Sequence, residues 1–352
     1  MKFEDRTYIA LDLGTSNILA YVSGQGIVYN EPSIIAYDNM TNNLLALGQE
    51  AYDMLGKTHE NISLVVPIRD GVITDLDAAR DMLKHIFEKL KMINDWKDSI
   101  ILLACPSGVT ELERDALKQV AYDMGGELVI VEEEVKMSAI GAGIDIELPK
   151  GNVVIDIGGG TTDIAIISAN DIIISRSVKV AGNVFNEEIK KYIRSEYNVS
   201  IGERTSENVK MELGSLTKYK GERNISVYGQ DIVSGLPKEV IISSEEVRNV
   251  FVNAFSRITD LLIEVMENTP PELAGDIITN GLTICGGGAM IRGIKDYFTG
   301  IFNIPCKISS NPLVGVVEGA QAFYKVINKR LMEGYYGKNG DTLRRKNNPS
   351  LT

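Results

Sequence analysis

Asp156-Ile157-Gly158-Gly159-Gly160-Thr161-Thr162-Asp163 closes the apolar run Val153-Val154-Ile155, and the fold turns on how this stretch is read. Glycines let backbone amides approach a phosphate closely, and the neighbouring Thr161 adds a hydroxyl donor. A similar turn, Asp12-Leu13-Gly14-Thr15-Ser16-Asn17, follows Tyr8-Ile9-Ala10-Leu11. Another, Gly286-Gly287-Gly288-Ala289-Met290-Ile291-Arg292-Gly293, follows Leu282-Thr283-Ile284. One such turn is an ordinary strand end. Three of them, two with Asp before and Thr after the glycines, point to two similar halves gripping one nucleotide.

Working outward, Tyr8–Leu13, Ile18–Val22 and Ile27–Tyr29 read as a meander of strands, with Gly24-Gln25-Gly26 as the second turn. The first glycine turn therefore bends back into a hairpin. It does not open a helix, as a dinucleotide-binding fingerprint would, and its spacing is not that of a P-loop. Asp75–Leu90 places Leu76, Ala79, Met82, Leu83, Ile86, Phe87 and Leu90 on one helical stripe. Ile100–Ala104 reads as a buried strand, Thr110 with Glu113 as a capping box opening a helix through Met124, and Leu128–Val131 as a strand before a helix over Val135–Gly141. The second half repeats the plan with strands at Val153–Asp156, Ile164–Ile167 and Ile172–Ser175. Helices are predicted over Asn183–Tyr197, Ser206–Leu213, Ser244–Met266 and Ala320–Leu331, with a polar β segment over Lys220–Ile242. Pro270-Pro271 ends the helix before it.

Composition bounds the function. The chain has 352 residues, 44% hydrophobic and 24% charged, enough for two globular domains. A net charge of −12 disfavours nucleic acid as a partner. Cys105, Cys285 and Cys306 are widely spaced and read as free thiols of a reducing compartment, and His59 and His85 lack metal-ligand spacing. The N-terminus lacks a signal-peptide core and no 18-residue apolar run occurs, which points to a cytoplasmic location. Residues 325–352 hold seven Lys or Arg against two Asp or Glu, a basic and Gly/Asn-rich end that reads as a disordered tail on an acidic protein.

With its turns placed, the chain resembles the actin-like ATPase superfamily and, within it, the MreB family of bacterial actins. The stretches that carry the resemblance are Ile27–Pro32, Val66–Asp75, Pro106–Arg114, Asp156–Ser168, Ile201–Thr205, Val233–Lys238, Ser243–Val247 and Thr269–Ala274. The resemblance implies an α/β actin-like ATPase fold: two ribonuclease-H-like lobes, each split into a large and a small subdomain, with nucleotide in the cleft. The implied partition is subdomain IA over 1–32, 67–149 and 313–331, IB over 33–66, IIA over 150–181 and 244–312, and IIB over 182–243. Residues 332–352 form the tail.

The resemblance also implies ATP and Mg²⁺ as cofactors. Gly14, Thr15, Ser16 and Asn17 match the family's phosphate-holding positions on one side, and Gly158, Gly159, Gly160 and Thr161 on the other. Asp12 and Asp156 would organise Mg²⁺ through water, as suits a cation that keeps its hydration shell. Glu203, Glu207 and Lys210 would face ribose and adenine. Gly286, Gly287, Gly288 and Met290 would close the adenosine side. Catalysis needs a water held in line with the γ-phosphate. In the family that role falls at Glu134, within Glu132-Glu133-Glu134, with Thr161 assisting. Val135 departs from the proline usual after that glutamate.

A membrane contact is expected at the loop carrying Ile93 and the only Trp, Trp96, between Lys91 and Lys97, and at the basic tail through Arg344, Arg345 and Lys346. The implied partners are copies of the same chain in a filament and an anionic membrane surface, with the protein peripheral at the inner face of the cell membrane and a role in cell shape. A soluble sugar or acetate kinase, a chaperone-type ATPase and a filament protein that hydrolyses ATP poorly are the alternatives within the superfamily.

Overall fold

The structure is a computed structural model that describes residues 6–91 and 99–332. The chain divides into two compact units, Met1–Gly141 with Val316–Thr352, and Ala142–Gly315. Ile93, Trp96, Arg344, Arg345 and Lys346 lie outside the described residues.

In the first unit, β1 (Tyr8–Leu13), β2 (Asn17–Val22) and β3 (Gly26–Pro32) form the expected antiparallel meander. Next come β4 (Ile35–Asp38), β5 (Leu44–Leu47), α1 (Gln49–Asp53), β6 (Ile62–Val65), and the two-residue strands β7 (Ile68–Arg69) and β8 (Val72–Ile73). α2 (Leu76–Lys91) buries Ala79, Met82, Leu83, Ile86, Phe87 and Leu90, six of the seven stripe positions. β9 (Ser99–Cys105), α3 (Glu111–Asp123), β10 (Gly126–Glu133) and α4 (Glu134–Gly141) complete the N-terminal part, and α3 carries both bonds of the Thr110–Glu113 capping box. The main sheet has the order β10-β9-β1-β2-β3, with β9 parallel to both β1 and β10. Every residue of β1 and β9 is buried, as for strands covered on both faces. β5-β4-β6 form a small separate sheet over a core of Ile34, Ala36, Ala46 and Ala51.

The second unit repeats the main sheet. β11 (Asn152–Ile157), β12 (Thr162–Ser168) and β13 (Asp171–Val178) are again an antiparallel meander. They are followed by α5 (Gly182–Tyr197), β14 (Val199–Ser200), α6 (Glu203–Leu213), β15 (Asn224–Asp231), β16 (Pro237–Ser243) and α7 (Ser244–Glu267). α8 (Pro271–Asn280), β17 (Leu282–Cys285), α9 (Ile294–Phe302) and β18 (Cys306–Ile308) close the unit, and α10 (Gly315–Met332) returns the chain to the first unit. The order β13-β12-β11-β17-β18 matches the first sheet strand for strand, including the two parallel neighbours.

Some elements differ from the sequence reading. α6 starts at Glu203 rather than Ser206, and α10 at Gly315 rather than Ala320. Pro270-Pro271 ends α7 and also opens α8, because Pro271 at the first helical position needs no amide partner and its fixed φ suits a helix start. α9 and β18 fall outside that reading, being short and without a strong period.

Candidate functional site

In the second unit, β11 delivers Asp156 to its C-terminal end, where it is 8% exposed and opposite Cys285 of parallel β17. The hairpin turn from Gly158 to Thr161 is closed by the Gly158 amide donating to the Thr161 carbonyl at 2.9 Å. The start of α5 packs directly on this turn. Its Gly182 and Asn183 amides donate to the carbonyls of Gly158 and Gly159 at 3.2 and 2.8 Å. Thr161 and Thr162 are buried, and the Thr162 hydroxyl donates to Val180 O at 2.6 Å.

α6 lies beside α5 and supplies the polar groups. Lys210 Nζ donates to Glu207 Oε2 at 2.7 Å and to Gly182 O at 3.3 Å, so the α6 side chains reach the backbone that holds the glycine turn. Asn186 Nδ2 donates to Glu203 and Glu207, and Lys190 Nζ sits 2.7 Å from Glu203 Oε2. Burial lowers the Lys190 pKa less than its bonds to Glu187 and Glu203 raise it, leaving it above its ordinary value.

The third turn abuts the same strand end. Gly286 has φ +74°, and a Cβ there would lie 2.3 Å from Asp156 Oδ1 and 2.4 Å from Ile157 O, so only glycine fits. Gly287–Met290 forms a short 3₁₀ turn that leaves Met290 61% exposed. Arg292 then donates to the Met211, Glu212 and Gly214 carbonyls at the end of α6, which pins the third turn to that helix. Asp156, Gly158, Gly159, Gly160, Thr161, Glu203, Glu207, Lys210, Gly286, Gly287, Gly288 and Met290 thus form one connected group. Asn186, Lys190 and Arg292 belong to it as well, and no local pattern in the sequence marks them.

In the first unit, β1 delivers Asp12, 7% exposed, to the matching position. Asp12 pairs with Leu19 across the hairpin and with Ala104 of β9, and Ala104 in turn pairs with Glu132 of β10. Gly14 is held tight, with the Asn17 carbonyl 2.7 Å from where a Cβ would stand. Thr15 is buried, whereas Ser16 and Asn17 are exposed. Glu134, half-buried, begins α4 where β10 ends. Burial, then the charges of Glu134 and Asp12, push the Cys105 thiol far above its usual range, with Arg114 opposing. The strand register brings both to this thiol, since Asp12 pairs with Ala104 beside Cys105, and Cys105 pairs with Glu133 beside Glu134. Cys285 answers to burial, then Asp156, in the same way, with Lys307 opposing.

A family model described as MreB/Mbl protein matches residues 6–332. The chain belongs to the MreB/Mbl family. Cell shape-determining protein Mbl of Bacillus subtilis (strain 168) is 43% identical over 311 residues, 88% of this chain and 93% of that one. Cell shape-determining protein MreB of Escherichia coli (strain K12) is 36% identical over 91% of this chain and 94% of that one. The solved structure of MreB5 of Spiroplasma citri bound to ADP is 64% identical, with a TM-score of 0.90 over 94% of this chain and 100% of that one. A second MreB5 structure, bound to AMPPNP, is 65% identical with the same TM-score, over 94% of this chain and 99% of that one. A MamK filament structure at 19% identity shares the fold, with a TM-score of 0.75 over 91% of this chain and 99% of that one. The duplicated sheets are those of the actin-like ATPase fold. Family membership separates this MreB/Mbl chain from the sugar kinases and chaperone ATPases of the superfamily.

Proposed function

We propose that this MreB/Mbl member binds ATP, hydrolyses it slowly, and polymerises into membrane-associated filaments that act in cell shape. The observation that carries the reading is the repeated hairpin: each unit ends the same strand of the same sheet in a buried Asp followed by a glycine turn. The MreB5 structures with ADP and AMPPNP support a nucleoside phosphate as the ligand.

In this reading the amides and hydroxyls of Gly14–Asn17 and Gly158–Thr161 hold phosphate oxygens. Glu203, Glu207 and Lys210 face the ribose and base, and Gly286–Gly288 with Met290 bound the adenosine. Asp12 and Asp156 fit Mg²⁺: they are two buried carboxylates beside phosphate-type turns, and the described residues hold no cluster of three or more metal ligands that would replace its waters. When bound, Mg²⁺ supplies neutralisation of the charge that develops on the phosphate oxygens. Glu134 orients and accepts a proton from the attacking water, and Thr161 helps hold it. Chemistry of this type is mostly positioning, so it stays slow until assembly brings the groups into place.

Among the described residues no helix is long and apolar enough to cross a membrane. A peripheral contact through Ile93 and Trp96, and through Arg344, Arg345 and Lys346, suits an anionic inner membrane face.

High-speed pelleting across a concentration series with Mg-ATP, Mg-ADP and no nucleotide tests the function. A critical concentration that depends on nucleotide is expected. No polymer at any concentration, with or without liposomes, overturns the filament reading.

A further inference from the structure

Asn186 sits on α5, near the end that packs on the Gly158–Thr161 turn, and is 2% exposed. Its Nδ2 donates to Glu203 Oε1 at 2.9 Å and to Glu207 Oε2 at 2.6 Å. Both amide hydrogens are therefore spent on carboxylates of α6. Carboxylates only accept, so the nitrogen must face them and Oδ1 must face away. That Oδ1 is buried and accepts no hydrogen bond among the described residues. A buried acceptor left without a donor is unfavourable, so the amide serves the fold less well than it serves the two glutamates.

The glutamates need such a clamp. Two like charges meeting at one nitrogen repel, and each is also held by one ammonium: Lys190 lies 2.7 Å from Glu203 Oε2, and Lys210 lies 2.7 Å from Glu207 Oε2. Lysines on flexible stems balance charge but do not fix direction, whereas the neutral, planar amide fixes direction. The network uses Oε2 of Glu207 and leaves Oε1 outside it.

We propose that Asn186 is a positioning residue for ribose recognition, holding Glu203 and Glu207 at one spacing so that Glu207 Oε1 and the second lone pair of a Glu203 oxygen accept from the 2′ and 3′ hydroxyls of a nucleotide. The proposal rests on the reading of Glu203 and Glu207 as ribose-facing. A site built to accept from two hydroxyls rejects a ligand lacking them, because its acceptors are then left unpaired. Without the amide the carboxylates separate toward water and lose that discrimination.

The test is calorimetric titration of the full chain with ATP and with 2′,3′-dideoxy-ATP, below the polymerisation threshold, with thermal unfolding of each variant measured in parallel. The native chain is expected to favour ATP by about tenfold or more. Asn186→Ala should bring that ratio close to one by weakening ATP and leaving the dideoxy ligand unchanged. Asn186→Asp keeps the shape but adds a third carboxylate. It should lose ATP affinity at neutral pH and recover part of it as the pH falls, which gives a second readout if the alanine variant does not fold. A native ratio that persists in both variants, or an equal loss for both ligands, overturns the positioning role while leaving the ribose reading intact. A native chain that does not discriminate removes the ribose reading and this proposal with it.

Discussion

Lys136 carries its ammonium to within 3.1 Å of Glu132 Oε2 and 5.0 Å of the Phe323 ring centroid, with side-chain exposures of 8% for the lysine and 18% for Glu132. Removing one partner strands the other in a poorly solvated place. Glu132→Ala is expected to cost about 3 kcal/mol, read as a lower thermal midpoint, whereas Lys136→Met in the same background should recover part of it. Two residues along the chain from Glu132, Glu134→Ala should lower ATP hydrolysis by about 10²-fold with ATP affinity retained, measured as single-turnover phosphate release beside a binding titration. Retained hydrolysis would move the water-orienting role elsewhere. Glu246 supplies a pH signature. Burial pushes its carboxyl up, but bonds from Ser243, Tyr197 and Tyr192 outweigh that and leave it below its ordinary 4.5. The anion is the stabilised form, so this contribution is present above pH 4.5 and fades as pH falls through the lower folded value. The bond to Glu246, then burial, push Tyr197 from 10.0 up to about 12. There the protonated form is stabilised, so the contribution holds below pH 10 and is lost as pH rises toward 12. Tyr197→Phe should flatten the alkaline limb of a plot of unfolding midpoint against pH.

At the scale of elements, Gly319 sets how α10 meets α4. A Cβ there would lie 1.8 Å from Met137 O, so the two helices touch backbone to backbone. Gly319→Ala is expected to destabilise the first unit by about 3 kcal/mol, since a carbonyl cannot step aside as a side chain does. A denaturant midpoint equal to the native one would show that the helices separate freely. The cap of α7 is more modest: Ser243 accepts from the Glu246 amide, and Ser243→Ala should cost about 1 kcal/mol in urea unfolding. The Thr110–Glu113 cap of α3 is legible in the sequence, as are the α2 stripe and the glycine hairpins, because each is written within a few residues. α8 is hidden because Pro-Pro reads most simply as a stop. The start of α6 is masked because Ser206 resembles a cap, while Gly202 occupies that place. The site divides the same way. Its turns are readable from local sequence. Asn186 and Lys190 are not, since their partner Glu203 lies 17 and 13 positions away. Arg292 reaches carbonyls 78 to 81 positions back, which no short pattern reveals.

At the scale of the whole molecule, charge is unevenly placed: residues 325–352 are basic on a chain of net charge −12. Removing everything after Leu331 is expected to weaken pelleting with anionic vesicles, by about 1 kcal/mol per lost charge near the surface, and to leave neutral vesicles unaffected. Unchanged binding would assign membrane contact to another segment. The two units also differ in how the chain supplies them. The second is one uninterrupted stretch, Ala142–Gly315, whereas the first needs Val316 onward. There the Tyr8 hydroxyl donates to Ala320 O, and its ring lies 4.6 Å from that of Tyr324. On a ribosome, which delivers the N-terminus first, the later-made unit has all its parts before the earlier one does. The early strands must wait, with Tyr8 and its neighbours uncovered, until α10 emerges. This is an interval in which a nascent-chain chaperone has something to hold.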